Sequence, residues 1–163
     1  MSGRTILLAV DVARREFSGH VDAATRETLD ISRGTGDRVV VLHVHEYAYG
    51  RFGKIQVDCV EGAGEKVVER VVSQLRAAGV RAEGEIRTAD FGHVARGILQ
   101  VADECDARMV VLGSSTRTDL PHVPFGSVSH RLLHLARRPV LIVPWEKVAV
   151  HATTEELAAE VSG

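Results

Sequence analysis

The sequence predicts a single α/β domain built on a doubly wound, five-stranded parallel sheet with helices on both faces. Three observations carry that expectation. Thr5 to Val10 (TILLAV), Ala107 to Leu112 (ARMVVL) and Pro139 to Pro144 (PVLIVP) are short apolar runs with the hydrophobicity of strands buried on both sides. Stretches of helical spacing lie between such runs, so the order reads βαβαβαβαβ, and right-handed crossovers then place helices on both faces of one sheet. The length, 163 residues, suits one core, because soluble domains cluster near roughly 100 to 150 residues.

Taken in order, the first strand ends at Asp11, and Ser18 can cap a helix whose inner stripe is Val21, Ala24, Thr28 and Ile31, stopped by Gly34 and Gly36. Arg38 to His45 returns to strand pattern. Tyr47 to Asp58 holds Gly50 and Gly53 without clear periodicity and reads as a mobile connection. Ala63, Val67, Val71, Leu75 and Ala78, widened by Val68 and Val72, define the clearest helix, which Gly79 ends. Val80 to Arg87 is a more polar third strand, and Asp90 can cap a helix that turns Val94, Ile98, Val101, Ala102 and Cys105 inward. Ala107 to Leu112 is the fourth strand, Ser127 to Arg137 the fourth helix and Pro139 to Pro144 the fifth strand. The domain thus spans 1–146. In the tail, 147–163, Thr153 and Glu156 have capping-box spacing ahead of Leu157, Ala158 and Val161, which suits a short helix or a frayed terminus equally.

Composition narrows the function. With 45% hydrophobic and 26% charged residues the chain can close its own core, which argues against disorder and against a disulfide-stapled miniprotein. Aromatics are only 4% and the formal net charge is -2, so neither a base-stacking platform nor the basic footprint of a nucleic-acid binder is present. Cys59 and Cys105 show no CxxC spacing and read as reduced thiols. The opening residues lead straight into a strand too short to span a bilayer, with no small-residue cleavage site, so a cytoplasmic location is expected and no membrane partner.

Ligands of open parallel sheets bind outside the carboxyl ends of the strands, where helix N-termini present unpaired amides. At those places this chain has Asp11 after the first strand, Gly113-Ser114-Ser115-Thr116 after the fourth, and, nine residues later, Gly126-Ser127-Val128-Ser129 at a helix start. That is the layout of a phosphate site: Gly113 permits close backbone approach, while Gly126 and Ser127 set bare donors and a hydroxyl at the positive end of a helix. Taken singly, each piece is also what a turn glycine or an ordinary N-cap looks like, and Asp11 also suits a turn or helix cap. The joint spacing, G-x2-[G]-x9-G-[S/T] behind an apolar strand, with a strand-one Asp and the closing PVLIVP, strongly resembles the universal stress protein family over Thr5 to Pro144.

The resemblance implies a flavodoxin-like or Rossmann-like sandwich that holds ATP, with Mg2+ where needed, between the end of the first strand and the glycine loop. By position, Ala9, Val10, Asp11 and Val44 then match the adenosine side, and Gly113, Ser115, Thr116, Gly126, Ser127, Val128 and Ser129 the ribose and phosphate side. A carboxylate at Asp11 repels phosphates, so it belongs with a ribose hydroxyl, the adenine amine or a divalent metal. Thr116 stands where the family has its second glycine, and a β-branched residue resists positive φ. Pro121 and Pro124 stiffen the spacer, and Arg117 is within sequence reach of a terminal phosphate. The resemblance also implies a homodimer through the Pro139 to Pro144 strand.

Other constellations weigh less. His43 and His45 share one strand face, but no third ligand is placed by spacing and the resemblance makes His43 a core position, so no metal is expected there. His130 and His134 lack the glutamate of HExxH. Walker A and HIGH signatures are absent and no catalytic dyad emerges, so at most weak ATP hydrolysis is expected. Three functions follow: a cytoplasmic universal stress protein with ATP as regulatory ligand in the stress response; a nucleotide-free dimeric interaction protein with a structural loop; or a slow ATPase.

Overall fold

In the computed structural model residues 3–12, 19–115 and 126–145 are described, and they form six strands and four helices. In chain order these are β1 (Thr5–Ala9), α1 (Gly19–Thr35), β2 (Arg38–Gly50), β3 (Gly53–Gln56), α2 (Ala63–Ala77), β4 (Ala82–Asp90), α3 (Val94–Glu104), β5 (Ala107–Ser115), α4 (Ser127–Leu135) and β6 (Val140–Trp145). Five strands are parallel and stand in the order β4-β2-β1-β5-β6, the doubly wound arrangement that the alternating pattern predicts. The chain builds outward from β1 in both directions, so the switch point of the sheet lies between β1 and β5.

Alternation along the strands decides the layers. Ile6, Leu8, Val39 and Val41 point to one face and pack under α1 and α2 through Val21, Ala24, Val71 and Leu75. Leu7, Val40, Leu42 and Val44 point to the other, under α3 and α4 through Ala95, Ile98, Val101 and Leu132. Both strand faces are thus apolar, which is why these strands read as unbroken runs.

Several boundaries differ from the sequence expectation. Tyr47 to Asp58 is no mobile connection: β2 runs on to Gly50, turns, and returns as the antiparallel β3, with Tyr47 opposite Gln56 and Gly50 opposite Gly53. Gly53, at φ +119°, makes that turn possible, since an L side chain rarely adopts such a torsion. Asp90 does not cap α3. It ends β4, and His93 occupies the N-cap with no side-chain bond. Helix α4 stops at Leu135 because Ala136 is already extended. Ser18, Thr116, Arg117, Pro121, Pro124 and the tail 147–163 lie outside the described residues.

At the amino ends of the strands, Asp37 is buried and accepts from the Arg4 backbone amide at 2.8 Å and the Arg108 Nε at 2.5 Å, tying β1, β2 and β5 together. Burial raises its pKa, but the bonds from Thr35, Arg108 and Arg4 outweigh that and hold it below the ordinary 3.8. A depressed folded pKa stabilises above the unfolded value and is lost as pH falls through the folded one. Asp37→Asn is expected to cost about 2 kcal/mol at neutral pH, read from urea unfolding, with the gap to the parent closing as pH drops below 3.8.

Candidate functional site

A cleft of about 320 Å³ opens at the carboxyl ends of the strands, over the switch point. Its volume lies at the lower end of the range for small-molecule sites, roughly 300 to 1,000 Å³. One wall comes from the end of β1 (Ala9, Val10 and the following Asp11), another from the end of β5 (Gly113, Ser114), and a third from the first turn of α4 (Gly126 to Ser129). Leu42, Val44, Val94, Ile98 and Leu112 supply apolar surface from the α3 side of the sheet.

Polarity is unevenly distributed around this cleft. Gly126 is the N-cap of α4, has an ordinary φ of -63°, and makes no side-chain cap bond, so among the described residues no side chain caps the first-turn amides that border the cleft. The torsion does not demand glycine there, and among the described residues a Cβ at Gly126 would meet nothing within 4 Å. The Ser114 hydroxyl, on a residue 4% exposed, has no hydrogen-bond partner among the described residues. A buried hydroxyl without a partner is costly unless something else satisfies it. On the opposite side stand the carboxylates of Asp11, Glu46 and Asp58, and among the described lining residues none is lysine or arginine. The arrangement can receive an anion at the α4 end and hydrogen-bond donors at the acidic end, with an apolar slab between.

The structure brings together most of the residues singled out from sequence: Ala9, Val10, Asp11, Val44, Gly113, Gly126, Ser127, Val128 and Ser129 line one cleft. Gly113 and Ser115 lie inside β5 and not beyond it, because the strand continues three residues past the apolar run and pairs as far as Ser115 with Trp145. Thr116 falls outside the described residues. Sequence reasoning missed Ser114, which two-residue alternation from Leu112 would have flagged had the strand been extended. It also missed Glu46 and Asp58. Glu46 accepts from the Gly92 amide at 2.6 Å, a contact 46 positions away, and no local pattern encodes it.

Behind Val10 lies a second polar group. The His43 ring sits with Nδ1 2.9 Å from the Val10 carbonyl oxygen and Nε2 3.0 Å from Asp58 Oδ2. His45 places Nε2 3.0 Å from Glu65 Oε1 and Nδ1 3.2 Å from the same Asp58 oxygen. The Cys59 thiol donates to Asp58 Oδ2 at 3.0 Å, and the Glu46 amide donates to Asp58 Oδ1 at 3.1 Å. Burial raises the Asp58 pKa, but the bonds from Cys59, His43, His45 and Glu46 outweigh it and hold the carboxyl well below the carboxylate range. Burial and the Asp58 charge push the Cys59 thiol up to about 11. For His45 burial works downward, yet Glu65 and Asp58 raise the pKa overall. The sequence set both histidines on one face; the β2–β3 turn is what returns Asp58 and Cys59 to them.

Fold and cleft together define an open-sheet α/β domain with a cleft at the switch point. The chain belongs to the universal stress protein family, whose profile matches residues 3–144. Among solved structures it is similar to the universal stress protein of Archaeoglobus fulgidus in complex with dAMP, at TM-score 0.63 and 22% identity over 88% of this chain and 99% of that one. It is also similar to a universal stress protein in complex with cAMP (TM-score 0.63, 16% identity, 90% and 100% covered). A universal stress protein family member of Arabidopsis thaliana with AMP bound gives TM-score 0.63 and 19% identity, with 88% and 92% covered. No curated protein matches the chain significantly. Among the described residues no helix is long and apolar enough to cross a membrane.

Proposed function

We propose that the chain binds an adenine nucleotide in this cleft, with ATP, accompanied by Mg2+ where required, as the regulatory ligand of a cytoplasmic stress-response protein. The observation that carries the reading is one cleft that combines the first turn of α4, uncapped among the described residues, the Ser114 hydroxyl, partnerless among them, and an apolar stretch from Val10 to Ile98, with carboxylates beyond it. Phosphates would lie at the α4 amides, near Gly126, Ser127 and Ser129, and the adenosine between Val10, Val44 and Ile98, with Asp11 toward the ribose or the adenine amine. Complexes of similar structures with dAMP, cAMP and AMP support the adenine class.

The reading is one of binding, with ATP occupancy selecting between states of the protein, which requires unequal affinity for those states. Thermal unfolding with ATP and Mg2+, AMP or cAMP is the test. A ligand at about 100 times its Kd stabilises by roughly 2.7 kcal/mol. No shift at millimolar concentration of any of the three would end the proposal. Asp11→Ala is expected to weaken binding about tenfold, as the loss of one charge-assisted hydrogen bond to the ligand does. Unchanged affinity would remove Asp11 from the site.

Strand β6 supports a homodimer. It ends the strand order, and a largely apolar edge strand, Val140 to Trp145, invites pairing with a second copy. Sedimentation at micromolar concentration is expected to give a dimer; a monomer there would exclude it.

A further inference from the structure

We propose that His43, His45, Asp58 and Cys59 form a tetrahedral binding site for a divalent transition metal, zinc by the chemistry of the donors. Their four ligand atoms, two imidazole nitrogens, one carboxylate oxygen and one sulfur, lie within 4.8 Å of one another. A zinc ion with Zn–N and Zn–O near 2.0 to 2.1 Å and Zn–S near 2.3 Å needs donor separations of roughly 3.3 to 3.6 Å. The observed Asp58 Oδ2 distances, 3.0 Å to His43 Nε2 and 3.2 Å to His45 Nδ1, sit just below that range. Those from Cys59 Sγ, 3.9 Å to His43 Nε2 and 3.8 Å to His45 Nδ1, sit just above it. Asp58 Oδ2 and Cys59 Sγ are 3.0 Å apart, and closing the tetrahedron draws the two ring nitrogens, the most widely spaced pair, toward each other by about an ångström.

The outer contacts fix which nitrogen of each ring is available. The Val10 carbonyl is only an acceptor, so His43 Nδ1 carries the proton and donates to it; a neutral His43 therefore turns a bare Nε2 toward Asp58. The Glu65 carboxylate is likewise an acceptor, so His45 Nε2 donates to it and in the neutral ring Nδ1 is bare, a state in which it accepts from the Gln56 amide at 3.0 Å. When both rings are neutral, two lone pairs therefore converge on one carboxylate oxygen, among residues only 3% and 5% exposed. Acceptors facing each other at hydrogen-bond distance are satisfied either by two added protons or by one cation. A carbonyl or carboxylate holding the far nitrogen of a ligating histidine is the usual outer arrangement of metal sites, and here both rings have it.

Charge and packing agree. Asp58 and a Cys59 thiolate bring two negative charges, which neutralise a divalent ion; binding forms a metal–sulfur bond and releases the thiol proton to solvent. Sulfur with two imidazoles favours zinc over magnesium or calcium, which take oxygen ligands. Gln56 also donates to the Cys59 sulfur and to the Cys59 carbonyl, so it remains bonded when a cation takes the lone pair of His45. Gly64 lets the first turn of α2 close over both rings.

The test uses the full chain, stripped with a chelator, and metal alone, so its outcome is independent of nucleotide binding. Zinc competed against a chromophoric chelator is expected to bind one equivalent. Cobalt is expected to give the intense visible bands of a tetrahedral ion and a thiolate charge-transfer band. Cys59→Ser should abolish the charge-transfer band and Cys105→Ser should keep it. His45→Gln should weaken binding at least tenfold, and Glu65→Gln, a substitution on the helix surface, about tenfold. Should His45→Gln fail to fold, Cys59→Ser and Glu65→Gln decide the matter. Failure of the parent chain to bind a stoichiometric ion at micromolar zinc would overturn the proposal and leave a cluster held by protons. So would a charge-transfer band that survives Cys59→Ser.

Discussion

Replacing Leu42 by alanine is expected to destabilise the fold by about 3 to 4 kcal/mol, among the largest effects of any single truncation here. Leu42 is 1% exposed, lies in the central strand β2 with β1 on one side and β4 on the other, and packs into the layer under α3. Neighbouring strands cannot collapse onto the gap without breaking register, so most of the cavity persists. Because Leu42 also lines the cleft, the cavity is continuous with it, and nucleotide affinity should fall together with stability. Urea unfolding gives the first number and titration calorimetry the second. A loss under 1 kcal/mol would mean that the layer is more plastic than its packing implies.

Gly64→Ala should cost about 2 to 3 kcal/mol, although it adds a single methyl to a helix and raises helix propensity. A Cβ at that position would stand 2.7 Å from His45 Cε1 and closer still to His43 Cδ2. Both rings are buried and anchored at both ends by hydrogen bonds, so neither can swing away cheaply. The propensity gain of roughly 1 kcal/mol is smaller than the repacking cost. Thermal unfolding checks the sign. An alanine variant as stable as the parent would show that α2 is free to lift.

What could be read from sequence follows the range of the interactions involved. Val68, Val71 and Leu75 announce α2 by spacing alone, and the burial of all three matches it. TILLAV and ARMVVL are strands because no polar face interrupts them. The cleft was legible to the extent that its parts follow strand ends: Asp11, Gly113 and Gly126 are near in space because parallel strands bring their carboxyl ends to one edge. The remainder depended on tertiary contacts. Gly50 and Gly53 punctuate the chain as a hairpin turn does, but the flanking residues lack strict alternation, since Tyr49, Ile55 and Val57 are exposed although apolar. Without that hairpin there was no means of returning Asp58 to His43, fifteen positions earlier. Ser114 was lost for a smaller reason: a glycine in a strand looks like its end.

Leu42 and Val44 line the cleft from alternate positions of β2 to His43 and His45, and His43 and Asp58 belong at once to the cluster and to the lining of the cleft. The proposed ion and the proposed nucleotide would thus be neighbours that share two side chains, and neither can shift them without the other registering the push. Thermodynamics makes that traffic symmetrical: the factor by which an ion tightens or loosens nucleotide equals the factor by which nucleotide alters the ion.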